Sequence, residues 1–221
     1  MEIGTVKTAI VVAGIIIILL VVFTGCRMFL PRDTAATLVF SGKLPGKAAV
    51  VYFSQSKVRN TALVAAWIQK HTGGELIEIV PKTPYPEAYG ETLREVRRER
   101  QSGGGREILP VKVPEDCEVV FVGSPVWYGT FAPPLAAFLK ENRLAGRTVV
   151  PFCTHGGGAA GHFEEDLRNA CPEARVLPVF SARGSNQIER RLGSGVSAHH
   201  TEDDVIVWLN RLFGEGGGAG K

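Results

Sequence analysis

The stretch VVFVGSPVWYGT, Val119–Thr130, decides the fold class of this sequence. Its first residues are apolar and mostly β-branched, which is typical of a central strand in a parallel sheet covered on both faces. The polar and aromatic residues from Ser124 onward predict a loop at the carboxyl end of that strand. Four other short apolar runs also end at loops, and they are Ala48–Phe53, Glu75–Val80, Thr148–Cys153 and Val176–Phe180.

Helical patterns separate these runs, so that strands and helices alternate along the chain. The predicted helices are Thr61–His71, Glu87–Gln101, Pro134–Glu141, His162–Ala170 and Thr201–Phe213. Thr201 is a suitable N-cap, and the acidic residues that follow it complement the helix dipole. Because parallel strands need crossover connections, the sequence predicts an α/β, three-layer doubly wound domain with helices on both faces of a five-stranded parallel sheet.

The amino-terminal segment differs in composition from the rest of the chain. Thr8–Cys26 contains no charged residue, and Ile15–Val22 is apolar on every side of a helix. As a helix the longer run measures roughly 28 Å, close to the ~30 Å hydrocarbon thickness of a bilayer. The sequence therefore predicts a transmembrane anchor or lipoprotein-type signal at residues 1–26, a linker at 27–46, a folded domain at 47–213 and a flexible tail at 214–221.

Two interpretations of the amino-terminal segment place the domain on different sides of a membrane. The small pair before Cys26 resembles a lipoprotein signal, in which that cysteine is lipidated and the segment is removed. Positive charges favour instead a retained anchor with a cytoplasmic domain, because Lys7 precedes the run whereas four basic residues follow it: Arg27, Arg32, Lys43 and Lys47. Both interpretations predict attachment to a membrane, and the side stays open.

Composition and charge exclude several classes of protein. The hydrophobic fraction of 45% is too high for a disordered chain. The net charge of +3 comes from 25 basic and 22 acidic residues, and this balance predicts no nucleic-acid partner. No C-x-x-C pair and no G-x-S-x-G motif occurs, so we predict no metal site, no redox dithiol, no serine hydrolase and no catalytic nucleophile; Cys117, Cys153 and Cys171 are expected to be buried thiols.

Three loops follow strands of the predicted sheet at the edge where ligands bind in such folds. Ser54–Thr61 is rich in hydroxyl and amide groups and leads into a helix N-terminus, which attracts phosphate, although an ordinary capped turn explains it equally. Ser124–Phe131 contains adjacent aromatic residues that we do not expect in the core and that suit contact with a planar ligand. Thr154–Gly161 is glycine-rich, so that its backbone is either a close neighbour of a ring edge or a floppy loop.

The order of these loops, with S-P-V-W-Y-G in the second and F-C-T-H-G-G-G in the third, resembles the flavodoxin family over about residues 47–213. The resemblance implies a flavodoxin-like fold with strand order 2-1-3-4-5 and a non-covalently bound FMN. It further implies that the first loop contacts the phosphate, while the second and third flank the isoalloxazine ring. The implied FMN-binding residues are Ser54, Gln55, Ser56, Asn60, Thr61, Pro125, Val126, Trp127, Tyr128, Gly129, Thr154, His155, Gly156 and Gly157.

The first loop departs from the pattern that is usual in the flavodoxin family. Lys57-Val58-Arg59 stands where the family usually has one glycine, and the two basic side chains either contribute charge to a phosphate or point into solvent.

The helix Glu87–Gln101 contains a cluster of basic residues. Arg94, Arg97, Arg98 and Arg100 alternate there with Glu91, Glu95 and Glu99, which predicts a solvated face of internal ion pairs rather than a docking site.

Three functions follow from these observations as alternatives. The first is a membrane-attached FMN protein that transfers electrons to a redox partner protein or a small acceptor such as a quinone. The second is an FMN-dependent NAD(P)H:quinone-type reductase. The third is a degenerate, flavin-free domain that serves as an interaction module. In the first two, the cofactor carries the electron chemistry, and His155 either donates a hydrogen bond to the flavin or quinone or satisfies loop carbonyl groups.

Overall fold

The computed structural model describes residues 38–102, 105–184 and 202–214. Within these ranges the strands are β1 (Lys47–Tyr52), β2 (Glu75–Glu78), β3 (Cys117–Trp127), β4 (Thr130–Phe131), β5 (Thr148–His155), β6 (Arg175–Val176) and β7 (Phe180–Arg183). The helices are α1 (Asn60–Thr72), α2 (Tyr89–Gln101), α3 (Pro133–Glu141), α4 (Phe163–Ala170) and α5 (Glu202–Phe213). Each predicted helix is therefore present.

The strands form one sheet in the order β2-β1-β3-β5-β6, with β7 also paired to β5 and β4 paired to β3. All pairings are parallel except that of β4 with β3. The α/β fold with a parallel sheet and helices is confirmed, whereas the prediction of five strands is wrong because the described residues form a sheet of seven.

Local chemistry explains the two extra strands. The predicted fifth strand is divided into β6 and β7 because Pro178 between them has no N–H for a ladder hydrogen bond. The next N–H, that of Val179, donates to the Glu164 carboxylate at 2.9 Å instead of to a strand. The second addition, β4, arises because β3 continues to Trp127 and the chain then turns back on itself.

Two hydrophobic clusters, one on each face of the sheet, produce the three layers. Alternate residues of β1 point to opposite faces, so that Val51 belongs to one cluster and Val50 to the other. The first cluster contains Val96 of α2, Phe138 of α3 and Phe163 of α4. The second contains residues of α1 and α5, among them Val64, Ile68, Val205, Trp208 and Leu209. Helices therefore cover both faces, as predicted.

The later part of the predicted linker, residues 38–46, is held against α5. The Lys43 N–H donates to the Phe213 carbonyl at 3.1 Å, and the Ser41 N–H donates to Asn210 Oδ1 at 2.9 Å. The same Asn210 donates through Nδ2 to the Val39 carbonyl at 2.9 Å, while Phe40 packs against the second cluster. This segment is thus an integrated edge of the domain.

Several predictions concern residues outside the described ranges. They include the membrane segment at 1–26 with Cys26, the first part of the linker at 27–37, the N-cap Thr201 and the tail at 215–221. Among the residues that the structure describes, the helices are too short or too polar to cross a bilayer.

Candidate functional site

The parallel arrangement of β1, β3 and β5 brings the three predicted loops to one edge of the sheet. Thr61 Oγ1 and Thr154 Oγ1 lie 2.8 Å apart in a buried contact that joins the first loop to the third. The N–H of His162, the residue that follows the third loop, donates to the Gly129 carbonyl at 2.7 Å and so links the third loop to the second. The three loops therefore form one continuous candidate site.

The first loop is organised by Arg59, the residue that precedes α1. Arg59 adopts a left-handed backbone conformation, with φ of 55°, where glycine would be the usual choice. Its guanidinium donates to the Ser54 carbonyl at 2.9 Å and contacts Glu78 Oε1 at 2.5 Å. Lys57 contacts Glu87 Oε2 at 2.6 Å, and this ion pair lowers the pKa of the exposed Glu87 carboxyl. Both basic side chains of the insertion thus lie against carboxylates.

The predicted phosphate-binding residues differ in burial. Ser54 and Thr61 are buried, and Ser54 Oγ has no hydrogen-bond partner among the described residues. Ser56 is exposed and its Oγ accepts the Asn60 N–H at 3.4 Å. Gln55 Nε2 donates to the carbonyl groups of residues 85 and 86 at 3.4 and 3.3 Å. The loop therefore places neutral donors around the first turn of α1, whose backbone N–H groups lack intrahelical partners.

Trp127 in the second loop belongs to the core. Its side chain is 3% exposed, and its ring meets those of Phe53 and Tyr85 edge-on at centroid distances of 5.6 and 5.2 Å. The expectation that neither aromatic residue of this loop is a core residue is wrong for Trp127. The physical reason is that β3 extends four residues past Gly123, so that Trp127 is still on the inward face of a strand.

Tyr128 has the surroundings that were expected for both aromatic residues. It is 43% exposed, its backbone has a positive φ of 50°, and Gly129 follows with φ of 82°. The Tyr128 hydroxyl donates to the Leu93 carbonyl at 2.8 Å, which fixes the ring at the surface. Pro125 and Val126 are partly buried in the end of β3. The loop thus presents one anchored aromatic ring to solvent.

His155 organises the third loop from inside. Its Nδ1 accepts the N–H groups of Gly157 and Ala159 at 3.0 and 3.2 Å. In these contacts Nδ1 accepts hydrogen bonds, whereas both roles predicted for His155 have it donate one, either to a ligand or to loop carbonyl groups. A Cβ atom built at Gly156, Gly157 or Gly158 would meet no atom beyond its chain neighbours within 4 Å, so that the glycine backbone borders open space.

The sequence profile of Flavodoxin_4, described as flavodoxin, matches residues 47–185, which is more than half of the chain. The chain belongs to the flavodoxin family. No curated protein sequence matches it. Its relation to other flavodoxin-family members is therefore most visible in solved structures.

Three solved structures share the flavodoxin fold of this chain. A Bacteroides uniformis protein is 22% identical, with 75% of this chain and 98% of that one covered and a TM-score of 0.61. A Bacteroides eggerthii protein is 23% identical, with 77% and 99% covered and a TM-score of 0.60. A flavoprotein in complex with FMN from Lactobacillus acidophilus is 21% identical, with 66% and 97% covered and a TM-score of 0.53. At these identities the comparison establishes the fold.

A buried arginine supports the aromatic residues of this flavodoxin-family site and was not identified from the sequence. Arg106 is 7% exposed, and its guanidinium carbon lies 3.8 Å from the centre of the Tyr85 ring. It contacts Glu95 Oε1 at 2.5 Å and Glu99 Oε1 at 2.7 Å, and the Tyr85 hydroxyl donates to Glu99 Oε2 at 2.8 Å. Burial raises the pKa of Tyr85, so this phenol stays protonated as a donor.

The Arg106 cluster also corrects the interpretation of the basic helix α2. Glu95 and Glu99 point toward Arg106 instead of pairing with the arginines of their own helix. Within the described part of α2, the pair that remains is Arg94 with Glu91 at 3.7 Å. The prediction of an internally paired face is therefore wrong for most of this helix.

The cysteines behave as structural thiols. Cys117, Cys153 and Cys171 are buried and free of disulfides. Burial raises the pKa of Cys153 to about 11 and also raises the pKa of the other two thiols. No group of three or more potential metal ligands occurs among the described residues.

Proposed function

We propose that this chain binds FMN non-covalently at the carboxyl edge of its sheet and transfers electrons at a membrane. The observation that carries the proposal is the meeting of three ligand-type loops at that edge, joined by the Thr61–Thr154 and His162–Gly129 contacts. Membership of the flavodoxin family and the FMN complex of the Lactobacillus acidophilus neighbour support the choice of ligand.

The residues present fit FMN. The first turn of α1 and the hydroxyl groups of Ser54 and Ser56 offer neutral donors for the phosphate, and the buried Ser54 Oγ awaits a partner. Arg59 is directed to Glu78, so the phosphate charge is met chiefly by backbone N–H groups and the helix dipole. The open space beside Gly156–Gly158 and the exposed Tyr128 ring leave room for a planar group between the second and third loops.

The protein's own residues bind, orient and shield. Bound FMN supplies one- and two-electron transfer. Trp127, Phe53 and Tyr85 form an apolar floor that excludes water from beneath the second loop. His155 holds the glycine loop through the hydrogen bonds that it accepts from Gly157 and Ala159, so that the other backbone N–H groups of the loop would be held in place for a bound ring. No protein nucleophile is needed in this scheme, and the electrons leave to a redox partner protein or a small acceptor.

Flavin titration tests the proposal directly. We expect the full-length chain, purified in detergent, to quench FMN fluorescence with micromolar or tighter affinity. Riboflavin, which lacks the phosphate, is expected to bind at least about tenfold more weakly, because charge-assisted hydrogen bonds are lost. Absence of any change in the flavin spectrum at micromolar protein would refute FMN binding and favour the flavin-free interaction module.

A matched pair of variants localises the ligand. Thr61→Val removes a hydroxyl of the first loop, next to Thr154 near the carboxyl end of β5. Thr148→Val makes the same change at the amino end of β5. We expect Thr61→Val to reduce the preference for FMN over riboflavin, since Thr61 is a predicted phosphate-binding residue. Thr148→Val should leave that preference unchanged. An equal effect of both substitutions would argue against the assignment of the first loop to the phosphate.

Membrane attachment is the second part of the proposal. It is supported by the charge-free run Thr8–Cys26, whose length as a helix suits a bilayer. We expect the full-length chain to sediment with membranes and to resist extraction by carbonate, and a chain that begins at residue 38 to stay in the supernatant. A lipid-modified Cys26 found by mass spectrometry would indicate a removed signal and an extracytoplasmic domain. Recovery of the full-length chain in the supernatant would contradict attachment.

A reductase is the second candidate function, because a cavity lies beside the second loop. The cavity has a volume of about 360 Å³ and is lined by Tyr128 together with Arg97, Arg100 and Gln101 of α2. Such a cavity favours a second ligand next to the proposed flavin, as in oxidation of NAD(P)H with reduction of a quinone to its hydroquinone. Steady oxidation of NAD(P)H by the FMN-loaded chain without a partner protein would separate this function from that of a carrier.

A further inference from the structure

Arg97 and Arg100 face Tyr128 without an acidic neighbour. Their guanidinium carbons lie 5.5 and 5.6 Å from the centre of the Tyr128 ring. The residues three and four positions from Arg97 and Arg100 along α2 include no glutamate, and the nearby Glu95 and Glu99 contact Arg106. Neither Arg97 nor Arg100 has a carboxylate partner in residues 38–102, 105–184 or 202–214. Two positive charges therefore converge on one aromatic ring without neutralisation.

The lining of this cavity is held in place before any ligand arrives. Arg100 Nη2 donates to the Trp127 carbonyl at 3.0 Å, and the Tyr128 hydroxyl donates to the Leu93 carbonyl at 2.8 Å. The cavity of about 360 Å³ is a wide-open depression at the protein surface, so a ligand there would remain partly in solvent. Because these groups are already ordered, a ligand loses less free energy to the ordering of side chains.

We propose that this cavity is an anion subsite that binds the phosphate monoester of a nucleotide. Guanidinium groups match phosphate oxygens in both charge and geometry. A pair of them complements a doubly charged phosphate monoester better than it complements a singly charged carboxylate. The Tyr128 ring remains 43% exposed and offers an apolar contact to the base. The Gln101 side chain supplies an additional hydrogen-bonding group at the rim.

The inference rests on the reductase as second candidate function and names its electron donor more narrowly. Tyr128 belongs both to this cavity and to the loop proposed to flank the flavin, so a ligand in the cavity lies beside the flavin site. A dinucleotide with an additional phosphate monoester satisfies the two arginines, whereas one that contains only the diphosphate bridge does not. A free mononucleotide has the same monoester chemistry and is the alternative source.

Calorimetric titration of the full-length chain in detergent tests this inference with ligands that undergo no redox reaction here. The probes are NADP⁺, NAD⁺, 5′-AMP and inorganic phosphate. We expect NADP⁺ to bind at least about tenfold more tightly than NAD⁺ and than inorganic phosphate, because only a nucleotide with a monoester uses both the arginines and Tyr128. Tighter binding of NADP⁺ than of 5′-AMP identifies the dinucleotide, and equal binding identifies the mononucleotide.

Two exposed arginines of α2 provide the variant and its matched control. Arg97→Gln removes one charge beside Tyr128 and is expected to weaken NADP⁺ binding about tenfold or more. Arg98→Gln removes one charge from the neighbouring residue, which is exposed and makes no contact with the ring, and is expected to change binding by less than about twofold. Unchanged thermal melting of both variants verifies that the fold is intact.

Specific outcomes overturn the inference. They are the absence of heat from both NADP⁺ and 5′-AMP at millimolar concentration, affinity for NAD⁺ or inorganic phosphate equal to that for NADP⁺, and equal weakening by Arg97→Gln and Arg98→Gln. A parallel FMN titration separates this inference from the proposed function. A chain that binds FMN but no nucleotide refutes the subsite alone, and one that binds NADP⁺ but no FMN refutes the flavin site alone.

Discussion

Replacement of Arg106 by methionine should destabilise the domain strongly. The guanidinium makes two carboxylate contacts at 2.5 and 2.7 Å, a hydrogen bond to the Thr83 carbonyl at 3.0 Å and a contact with the Tyr85 ring at 3.8 Å. Removal of one partner from a buried ion pair costs about 3–5 kcal/mol. The carboxylates are 31% and 16% exposed and keep some water, so we expect the lower end, about 3 kcal/mol.

Urea unfolding measures this loss, with tryptophan fluorescence as the signal. At about 2–4 °C per kcal/mol for a domain of this size, the midpoint of thermal unfolding should fall by about 6–12 °C. Arg98→Met, at an exposed position, is the control and should cost less than about 0.5 kcal/mol.

A second substitution makes the reasoning refutable. If the penalty comes from carboxylates left without a cation, combining Arg106→Met with Glu95→Gln and Glu99→Gln should restore at least about 1 kcal/mol of the lost free energy of unfolding. A loss below about 1 kcal/mol for the single variant, or no recovery in the triple variant, would show that Arg106 is not the electrostatic centre of this cluster.

Three further predictions concern the glycine loop and the core. Gly161→Ala should cost about 1–3 kcal/mol, because φ is +58° and the new Cβ would lie 2.3 Å from the Gly129 carbonyl oxygen, whereas Gly158→Ala has open space; equal unfolding midpoints would contradict this. His155→Ala should accelerate hydrogen exchange about tenfold at the amides of Gly157 and Ala159, which donate hydrogen bonds to His155. NMR measures these rates, and unchanged rates would exclude an organising role of His155. Burial raises the pKa of Cys153 to about 11 from an ordinary value of 9.0, so this thiol loses its proton at a higher pH in the folded state than in the unfolded state. The free energy of unfolding should therefore fall between pH 9 and 11. Cys153→Ala should make this fall less steep, and an unchanged slope would contradict the role assigned to Cys153.

Local patterns were sufficient for the elements of the fold. The periodic apolar residues of Thr61–His71 and Pro134–Glu141 placed these helices within one residue of α1 and α3 at each end. The end of β3 was harder to predict from the sequence, because Ser124–Trp127 lacks the apolar character of a strand. Its extended conformation depends on pairing with β4 and β5. That extension is also why Trp127 is a core residue.

The contacts that shape the site depend on residues distant in sequence. A left-handed Arg59 has no local signal, since its conformation is stabilised by the hydrogen bond to Ser54 and the ion pair with Glu78 on the neighbouring strand. Glu95 lies three residues before Arg98, which indicated a pair within α2, but Glu95 and Glu99 both contact Arg106, which is buried beyond the end of that helix. Tertiary electrostatics thus overrode the helical pattern.

The docking of residues 38–46 on α5 has a consequence for biosynthesis. Asn210 binds both Val39 and Ser41, so these hydrogen bonds of the first segment of the domain cannot form until the last helix has been made. Domains generally fold as units during synthesis, and here the unit closes only when its two ends meet. Loss of α5 by premature termination would therefore leave this edge of the domain open.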